Sequence, residues 1–182
     1  MLLLSIAYND RRHKTALYGK RLIKLKELGF EIENVGEYYG YKGVYNKYFF
    51  RIYYNPNSTL YKQTHSIVIM LYYKPERKAN NEVNIERLNS LNKKYKRWEF
   101  SDPTDAHQVL FEEAYIQIQT RFTLFTTFNK LKYRIHQALE YAHEEKLLPI
   151  SEKEVDKLIA ESVYKHGPSI DTFWQSKDPL RM

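Results

Sequence analysis

Cysteine is absent from all 182 residues, which removes disulfide frameworks, thiolate zinc sites and cysteine nucleophiles together. Only six glycines are present, so phosphate-cradling loops are scarce, and no Walker loop, G-x-G-x-x-G or G-x-S-x-G occurs. Long apolar runs are missing too. The opening stretch Leu2–Ala7 is too short for a signal-peptide core or a membrane span. It reads as a first strand or as a cover for the core. Internal repeats, heptads and low-complexity tracts are also lacking. These absences lead us to expect a cytoplasmic protein with no cofactor and no membrane partner.

What is present is tyrosine and positive charge. The chain holds 17 Tyr and a formal charge of +7. A chain of this size buries roughly 70% of its unfolded surface, enough for a core without metal or disulfides. The charge is split: residues 1–97 carry 19 Lys and Arg against 8 Asp and Glu, residues 98–182 carry 10 against 14. A uniformly basic chain would point to a polyanion. A split one points to halves that complement each other, within one molecule or across a dimer.

Hydrophobic periodicity orders the elements. "TALYGKRLIKLKELGF" predicts a helix over about Thr15–Leu28, with Tyr18, Leu22, Leu25 and Leu28 on one face and Gly29 as its stop. "FEIENV" begins a strand. "VYNKYFFRIYY" reads as one strand with Val44, Tyr48, Phe50, Ile52 and Tyr54 on one face and Tyr45, Lys47, Phe49, Arg51 and Tyr53 on the other. Asn55-Pro56-Asn57-Ser58 is a turn signal. "HSIVIMLYYK" is apolar on both faces, the mark of a central or interface strand. "NNEVNIERLNSLNKKY" is a helix capped by Asn80 or Asn81, with Ile85, Leu88, Leu91 and Tyr95 in register. "KRWEF" predicts a short strand, Asp102–Asp105 a turn, and "QVLFEEAYIQIQT" a further strand. A helix from about Arg121 to Lys146, capped by Thr120, would reach about 39 Å. Its stripe is Phe125, Phe128, Leu131, Ile135, Leu139 and Ala142. Ser151-x-x-Glu154 is a capping box opening a shorter helix to about Tyr164, and Gly167-Pro168 breaks it before a tail with Phe173 and Trp174. The pattern predicts an α+β fold: an antiparallel sheet with helices packed on one face, a long C-terminal helix and a short helical extension. We expect a domain over residues 1–148 and a short helix and tail over residues 149–182.

"YKGVYNKYFFRIYYN", Tyr41–Asn55, packs seven aromatic residues and three cations into fifteen positions. Lys42-Gly43 starts the RNA-recognition strand signature, but Val44, Tyr45 and Asn46 break it, and Tyr45 fills the space that bases need. Phe49 and Tyr53 flanked by Lys47 and Arg51 still suit a nonspecific single-strand platform. Aromatics packing across a sheet, with Lys and Arg at the rim, is the plainer reading. His136, Glu140 and His143 lie at i, i+4 and i+7 on one helical face, a spacing open to zinc but without an H-E-x-x-H pair. Asp102 or Asp105 with Glu112 or Glu113 would suit a magnesium nuclease, yet the acid-x-lysine strand is missing. No catalytic residue is assigned.

From about Thr15 to Lys146 the order of elements resembles the YbjN family and the related type III secretion chaperone-like fold. The most specific part is "IERLNSLNKKYKRWEF", a helix end running from Leu88-Asn89 through Leu91-Asn92 to a short strand at Trp98–Phe100. "QVLFEEAYIQIQT" and a long helix opening at a threonine follow. The tail Pro149–Met182 and the aromatic, basic first strand region differ from the family pattern. The resemblance implies a non-enzymatic binding module, often dimeric, that holds a protein segment on sheet and helix surfaces. We therefore expect a chaperone or adaptor with a protein partner, a homodimer being open to it. Lys47, Phe49, Arg51 and Tyr53 on the sheet, with Trp174 in the tail, are the expected partner-binding residues. The alternatives are an immunity protein that blocks a toxin and a nonspecific nucleic-acid binder, the second disfavoured.

Overall fold

The computed structural model describes residues 16, 18–35, 38–58, 64–79, 82–95, 107–123 and 126–166. The chain divides into two compact units, Met1–Pro149 and Ile150–Met182. The first is built on a six-stranded antiparallel sheet of order β1-β2-β3-β4-β6-β5. Its strands are β1 (Glu31–Val35), β2 (Tyr38–Tyr45), β3 (Tyr48–Ser58), β4 (Thr64–Tyr72), β5 (His107–Phe111) and β6 (Tyr115–Arg121). Around it lie a 3₁₀ helix (Ile23–Leu28), α1 (Ile85–Tyr95) and α2 (Phe128–Glu144). The fold is α+β, as the sequence pattern predicts. No helix among the described residues is long and apolar enough to cross a membrane.

Alternation along the strands decides the layers. Tyr48, Phe50, Ile52 and Tyr54 of β3, Ile67, Ile69 and Leu71 of β4, and Ile116 and Ile118 of β6 face the helices. They form one core with Leu22 and Leu25, with Leu91 and Tyr95 of α1, and with Leu131, Ile135, Leu139 and Ala142 of α2. The α2 stripe is the one its periodicity predicts. β4 sits between β3 and β6 and is largely buried on both faces, which accounts for its unbroken apolar run.

Several expectations need correction, mostly where a turn lay hidden inside an apolar run. "VYNKYFFRIYY" is two strands: Asn46 and Lys47 form a two-residue turn with φ of 48° and 72°, closed by the Tyr45–Tyr48 pair. Tyr45 therefore shares a face with Tyr48, not with Phe49. "QVLFEEAYIQIQT" likewise folds back at Glu112–Ala114, pairing Phe111 with Ile116. Asn55–Ser58 is no turn; β3 continues through it with an irregular register. The long helix starts at Phe128, where the Thr127 hydroxyl accepts from Lys130 N, and Thr120 is a buried strand residue. The described helical segment before Gly29 is 3₁₀ over Ile23–Leu28, and Tyr18, expected on its apolar face, is exposed. Gly29 does end it, in the left-handed region with φ 87°. Asn84, rather than Asn80 or Asn81, receives Arg87 N at the start of α1 (3.1 Å), and Ile85 at that end is exposed. "KRWEF" and the Asp102–Asp105 turn lie outside the described residues, as do Asn80, Asn81 and Phe125.

Asn92, which the sequence places in a helix end, lies within α1 and does something else. Its Nδ2 donates to Phe111 O (2.9 Å), and its Oδ1 accepts from Phe111 N (2.7 Å). One amide thus occupies both backbone groups of the last residue of edge strand β5, as a neighbouring strand would. In the second unit, α3 (Glu152–His166) opens with the predicted capping box. Ser151 Oγ donates to Glu154 Oε2 (2.6 Å), Ser151 N donates to the same oxygen (3.0 Å), and Glu154 N returns a bond to Ser151 Oγ (3.4 Å).

The two charge halves meet inside the first unit. Arg87 Nη2 bonds Glu145 Oε2 (2.7 Å), Lys94 Nζ bonds both Glu144 and Glu145 (2.7 Å each), and Arg77 bonds Glu113 (2.9 Å). The Tyr95 hydroxyl adds a bond to Glu145 Oε1 (2.6 Å). Burial would raise the Glu145 pKa. The hydrogen bonds from Lys94 and Tyr95, with the charges of Lys94 and Arg87, override it and hold the carboxyl below its usual range.

Two outcomes follow from these contacts. Asn92→Ala leaves two backbone groups of Phe111 without their partner, and should cost about 1–3 kcal/mol in chemical denaturation. Hydrogen exchange at the Phe111 amide should quicken at the same time. Because Glu145 has a depressed folded pKa, its contribution is present above its unfolded pKa and is lost as pH falls through the folded value. Stability measured from pH 6 downward should therefore decline from about pH 5, and Glu145→Gln should flatten part of that slope.

Candidate functional site

The sheet face turned away from the helices carries three of the expected partner-binding residues, and they are internal. Phe49 is 1%, Arg51 4% and Tyr53 6% exposed. Arg51 organises the contacts among them. Its Nε and Nη2 donate to Glu33 Oε2 and Oε1, both at 2.9 Å, a bidentate fork. The guanidinium lies 5.4 Å from the Phe49 ring centre and 5.9 Å from that of Tyr72. Phe49 packs on Tyr72, and Tyr72 on Tyr115, each at 5.7 Å between centroids. Burial would lower the Arg51 pKa, but the phenols of Tyr72 and Tyr53 and the Glu33 hydrogen bond raise it, so the group stays charged. Burial first, then Tyr72, drives the Tyr53 phenol well above its ordinary range.

Gly40 makes this arrangement fit. It pairs with Glu33 on one side and Tyr53 on the other. A Cβ there would lie 2.5 Å from Ile52 O and 2.6 Å from Tyr53 Cδ1. The Tyr53 ring occupies the space a side chain would take.

Lys47 is placed differently. It is exposed at the β2–β3 turn, off the sheet face. That turn stands beside α2, because the Tyr45 hydroxyl and His136 Nε2 share a hydrogen bond (3.1 Å), and Tyr48 bonds Leu147 O (2.6 Å) with its ring 5.7 Å from His143. Tyr45 also meets Phe30, at 6.3 Å, where the chain leaves the 3₁₀ helix. Gly43 permits that approach: a Cβ there would lie 3.1 Å from Gly29 O and Phe30 Cα. At its other end the helix meets α2 through Lys24, 6.0 Å from the Phe128 ring. Just before the helix, Arg21 Nη1 donates to Thr123 O (2.7 Å).

Helix, turn and α2 are thus mutually adjacent around Tyr45. They present Lys20, Lys24, Lys26, Lys47 and Lys132, all exposed, together with Tyr133, 57% exposed. Glu27, Glu140 and Glu144 are the exposed acids on the same elements, Glu144 being paired with Lys94. No ion pair reaches these five lysines among the described residues. Sequence reasoning found the charge of the first helix and of Lys47 but not their meeting, which depends on Tyr45 and on contacts some ninety residues apart.

The chemical candidates do not assemble. His136 is engaged by Tyr45, and no metal-ligating group of three forms among the described residues. Glu113 pairs with Arg77, while Asp102 and Asp105 lie outside the described residues. Trp174 lies outside them too. A small hollow of about 10 Å³ beside α1 is lined by Tyr73, Glu76, Arg87, Leu88 and Glu113 among others; its Arg87 bridges Glu76 and Glu145. No protein-family model, curated protein or solved structure matches this chain.

Phe49 is a packing residue here, so Phe49→Ala should cost about 3–5 kcal/mol. A thermal melt lowered by several degrees is the expected result; an unchanged melt would place the ring at the surface instead.

Proposed function

We propose that the protein is a non-enzymatic binding module, a chaperone or adaptor, that engages an acidic surface of another protein. The observation that carries this reading is the lysine face around Tyr45. Several other cations of the described unit are matched: Arg77, Arg87 and Lys94 by glutamates of the second half, Lys78 by Glu86, Lys42 by Glu31; Lys74, Lys93 and Lys146 are exposed without an ion pair to a described residue. Here five lysines stand without such partners on elements locked together by buried contacts. Charge of one sign on a preformed surface steers an oppositely charged partner and sets its orientation.

Two features favour a protein over nucleic acid. The sheet aromatics that would stack bases are buried. The arginines suited to forked phosphate recognition are engaged internally: Arg21 with Thr123, Arg51 with Glu33, Arg134 with Gln137, Arg77 and Arg87 with glutamates. An immunity protein is the second reading, favoured by the fixed geometry of the face, which suits a folded acidic cleft.

The test uses poly-L-glutamate as probe at low salt. Wild type should bind it, and the double variant Lys24→Glu/Lys132→Glu should bind about tenfold more weakly while keeping the wild-type circular-dichroism spectrum. Tighter binding of a single-stranded DNA 20-mer, with a steep salt slope, would select nucleic acid. Recognition confined to a folded toxin, with loss of the toxin's activity, would select the immunity reading.

A further inference from the structure

We propose that the Asn46-Lys47 turn is a recognition tip, with Lys47 presented to a carboxylate of the partner. The proposal rests on the acidic-partner reading and names the contact that makes the face selective. Both turn residues have positive φ, the geometry of a two-residue type I′ hairpin loop, where Asn is common first and Gly second. Asn46 fits that preference, since a short polar side chain tolerates the left-handed region. Lys47 does not fit it. At φ 72° its β-carbon is crowded against its own backbone, and glycine would sit there without strain.

Among the described residues nothing compensates for this choice. Lys47 is exposed and makes no ion pair with any described residue. The mounting of the turn is rigid by contrast. Its closing pair, Tyr45 and Tyr48, is tied to α2 through His136 and through the Leu147 carbonyl. Val44, immediately before that pair, is 59% exposed. A strained cation on a fixed mount, exposed and without an ion pair to a described residue, suits a partner carboxylate. Strained positions persist where the surroundings hold them and function uses them.

The experiment compares Lys47→Gly and Lys47→Arg by thermal melting and by poly-L-glutamate binding. Lys47→Gly should raise the melting temperature by about 2–4 °C and weaken binding about threefold to fivefold. Lys47→Arg keeps both the strain and the charge and should move neither. A Lys47→Gly protein that melts lower than wild type overturns the strain premise. One that binds as wild type does, while Lys24→Glu/Lys132→Glu binds weakly, overturns the tip and leaves the lysine face standing. Failure of wild type to bind the probe at all removes the acidic-partner reading and the tip together.

Discussion

Arg51 lies at the centre of a sheet face with almost none of its guanidinium in water. A buried cation without a partner would be strongly destabilising, by several kcal/mol on the general scale for such groups. Glu33 supplies the partner from two strands away, and this ties β1 to β3 across β2. Register is fixed by the same contact: a slip of one residue would swing Glu33 to the helix side and leave Arg51 unmatched. Gly40 opens the path between the two charges, and Tyr53 closes the gap that the missing side chain leaves. Phe49 and Tyr72 then offer their ring faces to the guanidinium. The aromatic richness of Tyr41–Asn55 is therefore largely explained by the needs of one buried charge and of the helix-facing core on the opposite side.

The other organising centre is Tyr45, which belongs to the helix side. Its ring and hydroxyl bring the exit of the 3₁₀ helix, the β2–β3 turn and the middle of α2 to one place. The charge split resolves around this arrangement. Acids of the second half neutralise α1 and the chain leading to it, through Glu113, Glu144 and Glu145. The lysines of the 3₁₀ helix and the turn make no ion pair with those acids and remain at the surface. A modest net charge thus becomes a local excess of lysine over acid.

Much of the fold was legible from periodicity. The α+β class, β1, β4, the buried stripe of α2 and the capping box at Ser151 all follow from patterns that local chemistry imposes. The hairpins at Asn46-Lys47 and Glu112–Ala114 were hidden because neither carries glycine or proline in the turn. Asn-Lys signals a type I′ turn weakly, and the flanking apolar residues keep their alternation through it. That same concealment misassigned Tyr45 to the wrong face and so hid the site. Asn92 was read only as part of a helix end, whereas its role is a side-chain bond to Phe111, which no local pattern reveals.

The location of the candidate site follows from the buried charge. A sheet face that encloses Arg51 and covers it with aromatic rings cannot also offer those rings to a partner without reopening the ion pair. On the proposed reading, recognition falls to elements that the core holds but does not consume: the 3₁₀ helix, α2, and the turn between β2 and β3. These elements carry lysine, whose flexible stem keeps an ammonium in water and pairs by charge rather than by a fixed fork. Among the described arginines, Arg51 and Arg134 are buried, and Arg21, Arg77 and Arg87 are bonded within the chain. On this view the division of labour between the two cations, and not the abundance of tyrosine, marks the surface through which the protein acts.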